Sequence, residues 1–319
     1  MITTNDFPAL TDDMQSIFNE VARTSVADMV GNKVFHVFDT NRKTYDHLIL
    51  HGMSGIKQVT PGQDLPNVTS EEGDSVTTQK YYGAIVAVTK EMRKFDLHNE
   101  ITSLVKSITT DAFEKIDQSL ADVLLYGDTS YTDVYGKVIS AVGPDGLELF
   151  SRLHSNNINT DTFDNEVAGN PALSREAILS AINQGLTHKD PSGVIRPIHY
   201  TTLIVPPALY DLAVRLCNSE LLPGTGNNDI NALKGRVTNI VLERLESRSD
   251  DTDTSAYWFM TDGKKIGETL NCLFAERPSL DAPEKVYSNK NWEYSCDYFY
   301  TIGIGYPAYI IGSNGSGTA

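Results

Sequence analysis

Several groups of residues in this 319-residue chain invite a chemical reading. His47 and His51 stand four apart, the spacing at which two imidazoles on a helix meet one zinc ion. Only Leu48, Ile49 and Leu50 lie between them, with no glutamate placed as a base and no third ligand nearby, so an ordinary strand or loop pair accounts for them better. Asp250, Asp251 and Asp253 crowd carboxylates together as a calcium loop does. The glycine and the distal glutamate of an EF-hand are missing, and a solvated acidic loop is the simpler reading. His154 sits beside Asn156 and Asn157, where a local hydrogen-bonding role outweighs catalysis. Cys217, Cys272 and Cys296 are odd in number and widely spaced, which makes neither a disulfide framework nor a CxxC metal site and fits a reducing cytoplasm. Asn67-Val68-Thr69 and Asn314-Gly315-Ser316 match the glycosylation pattern, as cytoplasmic chains do by chance. The sequence has no G-x-S-x-G, no HExxH and no phosphate-binding glycine loop. Gly303, Gly305 and Gly312 lack dinucleotide spacing. The expectation is therefore no catalytic set, no metal and no cofactor.

The bulk properties narrow the class further. The formal charge is −16, so the chain would repel a phosphate backbone rather than gather on it, and sequence-independent nucleic-acid binding is not expected. Hydrophobic content of 40% with 21% charged residues is that of a folded chain with a real core. Fifteen tyrosines and 23 glycines point to substantial β structure. The start, MITTNDFPALTDD, has no basic n-region and no apolar h-region, so no secretion signal is expected. No apolar run approaches the ~18 residues of a membrane span.

The element that must organise such a chain is the stretch Phe95 to Gly127. Leu97, Ile101, Leu104, Val105, Ile108, Ala112, Phe113, Ile116, Leu120, Val123 and Leu124 recur at steps of three and four, one continuous apolar stripe on a helix. Asp96 is placed to cap its start and Gly127 to end it. About 28 residues at ~1.5 Å each make a spine of about 42 Å, and the stripe has no strict heptad, which argues against a coiled coil. Residues 98–126 are expected as one helix with a sheet along one side.

Before the spine, Thr11 is placed to cap a short helix carrying Ile17, Phe18 and Val21, and KVFHVFDT reads as a strand. From Gly52 to Lys90 the chain reads as a hairpin: Val76 to Thr89 is one strand, Ile56 to Thr60 its candidate partner, and Pro61, Gly62, Gln63, Asp64, Leu65 and Pro66 the turn. An isolated two-stranded ribbon is marginal in water, so it must lie on something, if not its own domain then another subunit. Pro171 opens an α/β unit to residue 274, with a helix capped by Ser174, a strand HYTTLIVPP, a helix begun by Pro207, and the strands RVTNIVLERL and YWFMT. The long loop inside it carries Gly224, Gly226, Asn227 and Asn228, and loops of that size are usually functional. The end is β again, with Trp292, Tyr294, Cys296, Tyr298 and Tyr300 on one parity, then AYIIG, then SNGSGTA as a flexible tail.

This order of arm, ribbon, spine, inserted unit and terminal strands resembles the major capsid proteins of tailed bacteriophages, whose fold is named after phage Hong Kong 97. The resemblance covers roughly 52 to 312 and is carried by VAVTKEMRKFD, LFSRLHSNN, EVAGNPALS, TLIVPPALYDLAVRL, NDINALKGRVTNIVLERL, AYWFMT and IGIGYPAYIIGS, in that order. It is most similar to the Mu-like major head subunits. The resemblance implies an α+β fold: an N-terminal arm (1–51), an E-loop hairpin (52–92) over a neighbouring subunit, a P-domain (93–170 and 275–319) and an inserted A-domain (171–274). It implies hexamers and pentamers in an icosahedral shell around double-stranded DNA, without sequence-specific binding or membrane. Subunit contacts are expected at Pro61, Gly62, Gln63, Asp64, Leu65, Pro66, Gly224, Gly226, Asn227 and Asn228. Scaffolding, portal or decoration proteins are the implied partners, with the virion as location after assembly in the host bacterial cytoplasm. Some members cross-link a ribbon lysine to a neighbour's asparagine; those positions are not matched in this sequence, so cross-linking is not carried over. No charged helical scaffold run precedes the arm, so scaffold is expected as a separate or already removed protein. An encapsulin-type shell has the same fold and a cargo function. A tail or decoration subunit and a cytoplasmic hydrolase using the acidic loop and a histidine are the other readings.

Overall fold

The computed structural model describes residues 7–29, 31–50, 59, 64, 72–95, 100–132, 138–155, 162–189, 194–221, 230–246, 248 and 252–317. In chain order its elements are α1 (Phe7–Asp28), α2 (Gly31–Val34), β1 (His36–Asp39), β2 (Thr44–Leu50), β3 (Glu72–Thr78), β4 (Lys80–Val88), α3 (Lys90–Phe95) and α4 (Glu100–Leu125). Short strands follow: β5 (Ser130–Thr132), β6 (Val138–Ser140), β7 (His154–Ser155) and β8 (Thr162–Phe163). Then come α5 (Arg175–Leu186), β9 (Thr202–Val205), α6 (Tyr210–Asn218), β10 (Thr238–Val241), β11 (Trp258–Thr261), β12 (Leu270–Leu280), β13 (Glu284–Lys285), β14 (Trp292–Ile304) and β15 (Ile310–Ser313). The chain divides into two compact units, one of residues 1–45, 77–120 and 272–302, the other of 46–76, 121–271 and 303–319. Among the described residues, no helix is long and apolar enough to cross a membrane.

The first unit is built on α4. Its stripe residues Ile101, Val105, Ile108, Ala112, Phe113, Ile116 and Leu120 are buried, as the three-and-four spacing predicts. They meet one face of a sheet ordered β1-β12-β14-β13, with β4 paired to β14. Tyr294, Cys296, Tyr298 and Tyr300 of β14 alternate into that core. Burying a tyrosine requires a partner for its hydroxyl. Tyr300 Oη donates to Ser119 Oγ at 2.8 Å, and Tyr298 Oη reaches the Ala112 carbonyl at 3.5 Å. Tyr82 of β4 stacks on Tyr298, ring centroids 5.7 Å apart.

The N-terminal helix is longer than the sequence suggested. It runs 22 residues from Phe7, so Thr11 lies inside it rather than at its cap. Met14 and Phe18 are buried, one turn apart on the inner face. The stretch Val76–Thr89 is not one strand. It breaks at Gln79 into β3, which pairs with β2, and β4, which pairs with β14. The partner of β3 is therefore Thr44–Leu50. The expected partner Ile56–Thr60 lies outside the described residues, Val59 apart.

The second unit holds a sheet ordered β10-β9-β11-β15, with β10 parallel to β9 and β11 antiparallel to β9 and β15. Leu203, Val205, Trp258, Met260 and Ile311 are buried with Ile178, Ala181 and Ile182 of α5. Ser174 caps α5, its hydroxyl accepting from the Ala177 N–H at 3.1 Å. Pro207 begins a single 3-10 turn that leads into α6. The last strand, β15, pairs with β11, so AYIIG joins this sheet and does not accompany the aromatic strand along α4. The tail beyond it is anchored as far as Gly317, contrary to the flexible segment expected. Gly317 N–H donates to the Asn170 carbonyl at 2.8 Å, and a Cβ at 317 would collide with the Gly169 carbonyl. Only glycine lets the two backbones approach so closely.

Candidate functional site

Chemistry would need titratable groups brought together in a water-excluding cleft. His154 is the best-supplied candidate, and the fold explains it as a structural group. It is fully buried at the start of β7, with Nδ1 2.7 Å from Asp145 Oδ2 and Nε2 3.1 Å from the Leu149 carbonyl. Phe163 of β8 stacks on its ring at 5.1 Å. Asn165 Nδ2 donates to the same Leu149 carbonyl at 2.6 Å, and its Oδ1 accepts from the Ser151 N–H at 2.9 Å. Both ring nitrogens are thus engaged within the protein, and among the described residues no hydroxyl or thiol is hydrogen-bonded to the imidazole as a nucleophile would be. The set ties the turn at 143–150 to the chain around 162–167. The sequence offered His154 but not Asp145, whose distance of nine residues across a glycine turn carries no motif.

The remaining candidates separate. His47 lies in a strand, where a spacing of four has no helical meaning, and His51 lies outside the described residues. Asp250 and Asp251 also lie outside them. Asp253 is exposed and binds its own turn: the Ser255 hydroxyl and N–H hold its carboxyl below the usual range, the N–H at 2.9 Å. Among the described residues no group of three or more His, Cys, Asp or Glu is placed to hold a metal ion. All three cysteines are buried free thiols. Burial pushes Cys217 and Cys296 up to about 11 and Cys272 to about 12, which leaves them protonated and unreactive at neutral pH.

Of the expected contact residues, Asp64 alone is described, and it is exposed; Pro61, Gly62, Gln63, Leu65, Pro66, Gly224, Gly226, Asn227 and Asn228 lie outside the described residues. The described base of the second loop is Leu221 bridged to Ile230, which are 45% and 82% exposed. Large apolar side chains held out in water at a loop base suit contact between molecules better than catalysis.

Comparison with known proteins decides the class. The sequence model of a family described as phage capsid protein matches residues 71–311, about three quarters of the chain. The chain belongs to the phage capsid protein family. It is a major capsid structural protein, and the encapsulin-type alternative is not favoured by that match. The fold of this capsid protein is also that of solved shells. The capsid of Myoviridae phage XM1 is similar at 10% identity and a TM-score of 0.54, covering 89% of this chain and 90% of that one. The capsid of an empty GTA particle is similar at 9% identity and a TM-score of 0.55, covering 89% and 88%. A virus-like particle from Pyrococcus furiosus is similar at 10% identity and a TM-score of 0.51, covering 93% and 98%. At such identities these likenesses speak for the mixed α+β fold alone. A comparison with curated proteins finds no match.

Proposed function

We propose that this capsid protein is the main head subunit of a tailed phage, with the Hong Kong 97-type arrangement and nearest to the Mu-like head subunits. The observation that carries the reading is the family match over 71–311, which spans the ribbon's second half, the spine and the inserted unit together. In this reading 1–51 is an N-terminal arm, 52–92 the E-loop, 93–170 with 275–319 the P-domain, and 171–274 the A-domain. Subunits form hexamers and pentamers that close an icosahedral shell around double-stranded DNA. Closed symmetry covers extended surfaces many times over, which is how a ribbon without its own core is stabilised. The turn 61–66 and the glycines and asparagines at 224–228 meet neighbouring subunits. Scaffolding, portal or decoration proteins complete the particle, which assembles in the host bacterial cytoplasm. The net charge of −16 supports a wall that does not trap packaged DNA. No turnover is expected, and replacing Asp250, Asp251 and Asp253 by Asn, or His154 by Ala, alters stability or particle yield alone.

Electron microscopy of purified particles tests this. Closed shells with packaged DNA are expected; protein-filled shells or monodisperse monomers would overturn the reading. Deleting Thr60 to Pro66 should leave a folded monomer by circular dichroism and impair closure, and normal particles from the deletion would remove the ribbon's assembly role.

A further inference from the structure

On the sheet face of the first unit that points away from α4, β4 is exposed. Along β4 the odd positions Tyr81, Gly83, Ile85 and Ala87 are all exposed, Tyr81 by 62% and Ile85 by 66%. Their partners across the ladder on β14 are Phe299, Asp297, Ser295 and Glu293. Tyr81 and Phe299 touch with ring centroids 4.7 Å apart. Gly83 carries no side chain between Tyr81 and Ile85, and Asp297 stands across from it, its Oδ2 accepting from the Tyr81 hydroxyl at 3.1 Å.

The rim of that face is acidic. Glu284 stands directly opposite Glu293 on the adjoining strand, a like-charge pair that costs stability where nothing offsets it. Asp281 reaches the same face by accepting from the Ser295 hydroxyl at 2.8 Å. None of Asp281, Glu284, Glu293 and Asp297 has a Lys or Arg ion pair among the described residues. The hydrogen bond to Asp297 and its charge, then desolvation, then the charges of Asp281 and Glu276, make the Tyr81 hydroxyl harder to ionise.

The complementary surface lies on the same chain. α3 reads KEMRKF, and its Lys90 and Lys94 are exposed, one turn apart, and without a carboxylate partner among the described residues. Phe95, 63% exposed, follows at once, with the Lys94 ammonium 5.3 Å from its ring centroid. An aromatic ring beside two cations matches an apolar strand face beside four carboxylates in sign.

We propose that the outer β4–β14 face receives the α3 segment Lys90–Phe95 of a second copy of the chain. Phe95 packs on the face between Tyr81 and Ile85, with Lys94 answering the carboxylate of Asp297 and Lys90 that of Glu293. With patch and complement on different elements, a heterologous contact propagates from copy to copy, and it closes a ring where the rotation between copies divides a full turn. The proposal rests on the shell reading above and names the residues that make one of its contacts.

A charge swap tests it. Ile85→Arg, Asp297→Lys and Lys94→Glu should each lower the assembled fraction in sedimentation velocity by roughly tenfold, Lys94→Glu with the monomer's melting temperature kept. Lys94 lies on an exposed helix face, so its variant reads assembly even where Ile85→Arg unsettles the sheet. Asp297→Lys combined with Lys94→Glu should restore assembly. Single variants that assemble like the wild type overturn the proposal. A double variant no better than the worse single also overturns it, and assigns the face to a different occupant. A wild-type chain that never assembles in the same assay sinks the shell reading itself, a result distinct from either.

Discussion

His154 Nδ1 lies 2.7 Å from Asp145 Oδ2, and the two side chains are 0% and 8% exposed. Removing Asp145 leaves the buried Nδ1 of His154 without that partner. Asp145→Ala should therefore cost about 2–4 kcal/mol in urea unfolding. His154→Leu should cost less when made on the Asp145→Ala background than on the wild type, because the pair is lost only once. Additive costs in that double-mutant cycle would mean the contact carries no coupling.

The hydroxyl contacts between β14 and α4 differ in length, and the difference has a measurable sequel. Tyr300→Phe removes a 2.8 Å bond to Ser119 and should cost about 1 kcal/mol. Tyr298→Phe removes a 3.5 Å contact to the Ala112 carbonyl and should cost less than half as much, about 0.5 kcal/mol or below. Equal losses in chemical denaturation would contradict the geometry.

The buried thiols set the alkaline limit of stability. Cys217, Cys272 and Cys296 are raised from the ordinary 9.0 to about 11, 12 and 11 in the folded chain. The unfolded chain gives up these protons first. Their contribution is complete below about pH 9 and is lost as pH rises towards 11–12. Tyr298 and Tyr309, raised from 10.0 to about 12, act in the same direction. Unfolding free energy should fall between pH 9 and 11, and replacing the three cysteines by Ala should flatten part of that fall. Thiol labelling at pH 7.5 should be negligible until denaturant is added; rapid labelling of the native chain would show that the thiols are not buried.

Gly317→Ala should free the tail without unfolding the unit. The new methyl group meets the Gly169 carbonyl, a backbone atom that has no rotamer to retreat to. The expected outcome is faster hydrogen exchange at the Gly317 amide and at Trp258 Nε1–H, which donates to the neighbouring Pro171 carbonyl at 3.0 Å, with an unchanged global midpoint. Unchanged exchange at both would show that the tail tolerates the side chain.

Much of the local architecture was legible in the sequence because its cause is local. The apolar stripe of the spine depends only on neighbours three and four residues away, and the helix expected over 98–126 runs Glu100–Leu125. The same holds for the Ser174 cap, the proline start before α6 and the alternation from Tyr294 to Tyr300. The ordered stretches resembling capsid proteins point to the structural role that the family match bears out.

What the sequence left open concerns pairs far apart in the chain. The run Val76–Thr89 has one continuous β-forming composition, yet Gln79 divides it between two sheets, because β14 offers an edge to β4 while β2 offers one to β3. β15 follows the aromatic strand closely but pairs with β11, some fifty residues earlier. The tail looked free because its glycines and serines lack apolar mass. It is held because that lack of bulk lets Gly317 reach the Asn170 carbonyl. His154 looked like a lone polar residue until the glycine turn brought Asp145 beneath it. Periodicity is written in consecutive residues, and the sequence alone determined it. Which edge is vacant, and which buried donor finds which acceptor, depends on the whole chain at once, and only the tertiary structure decided those.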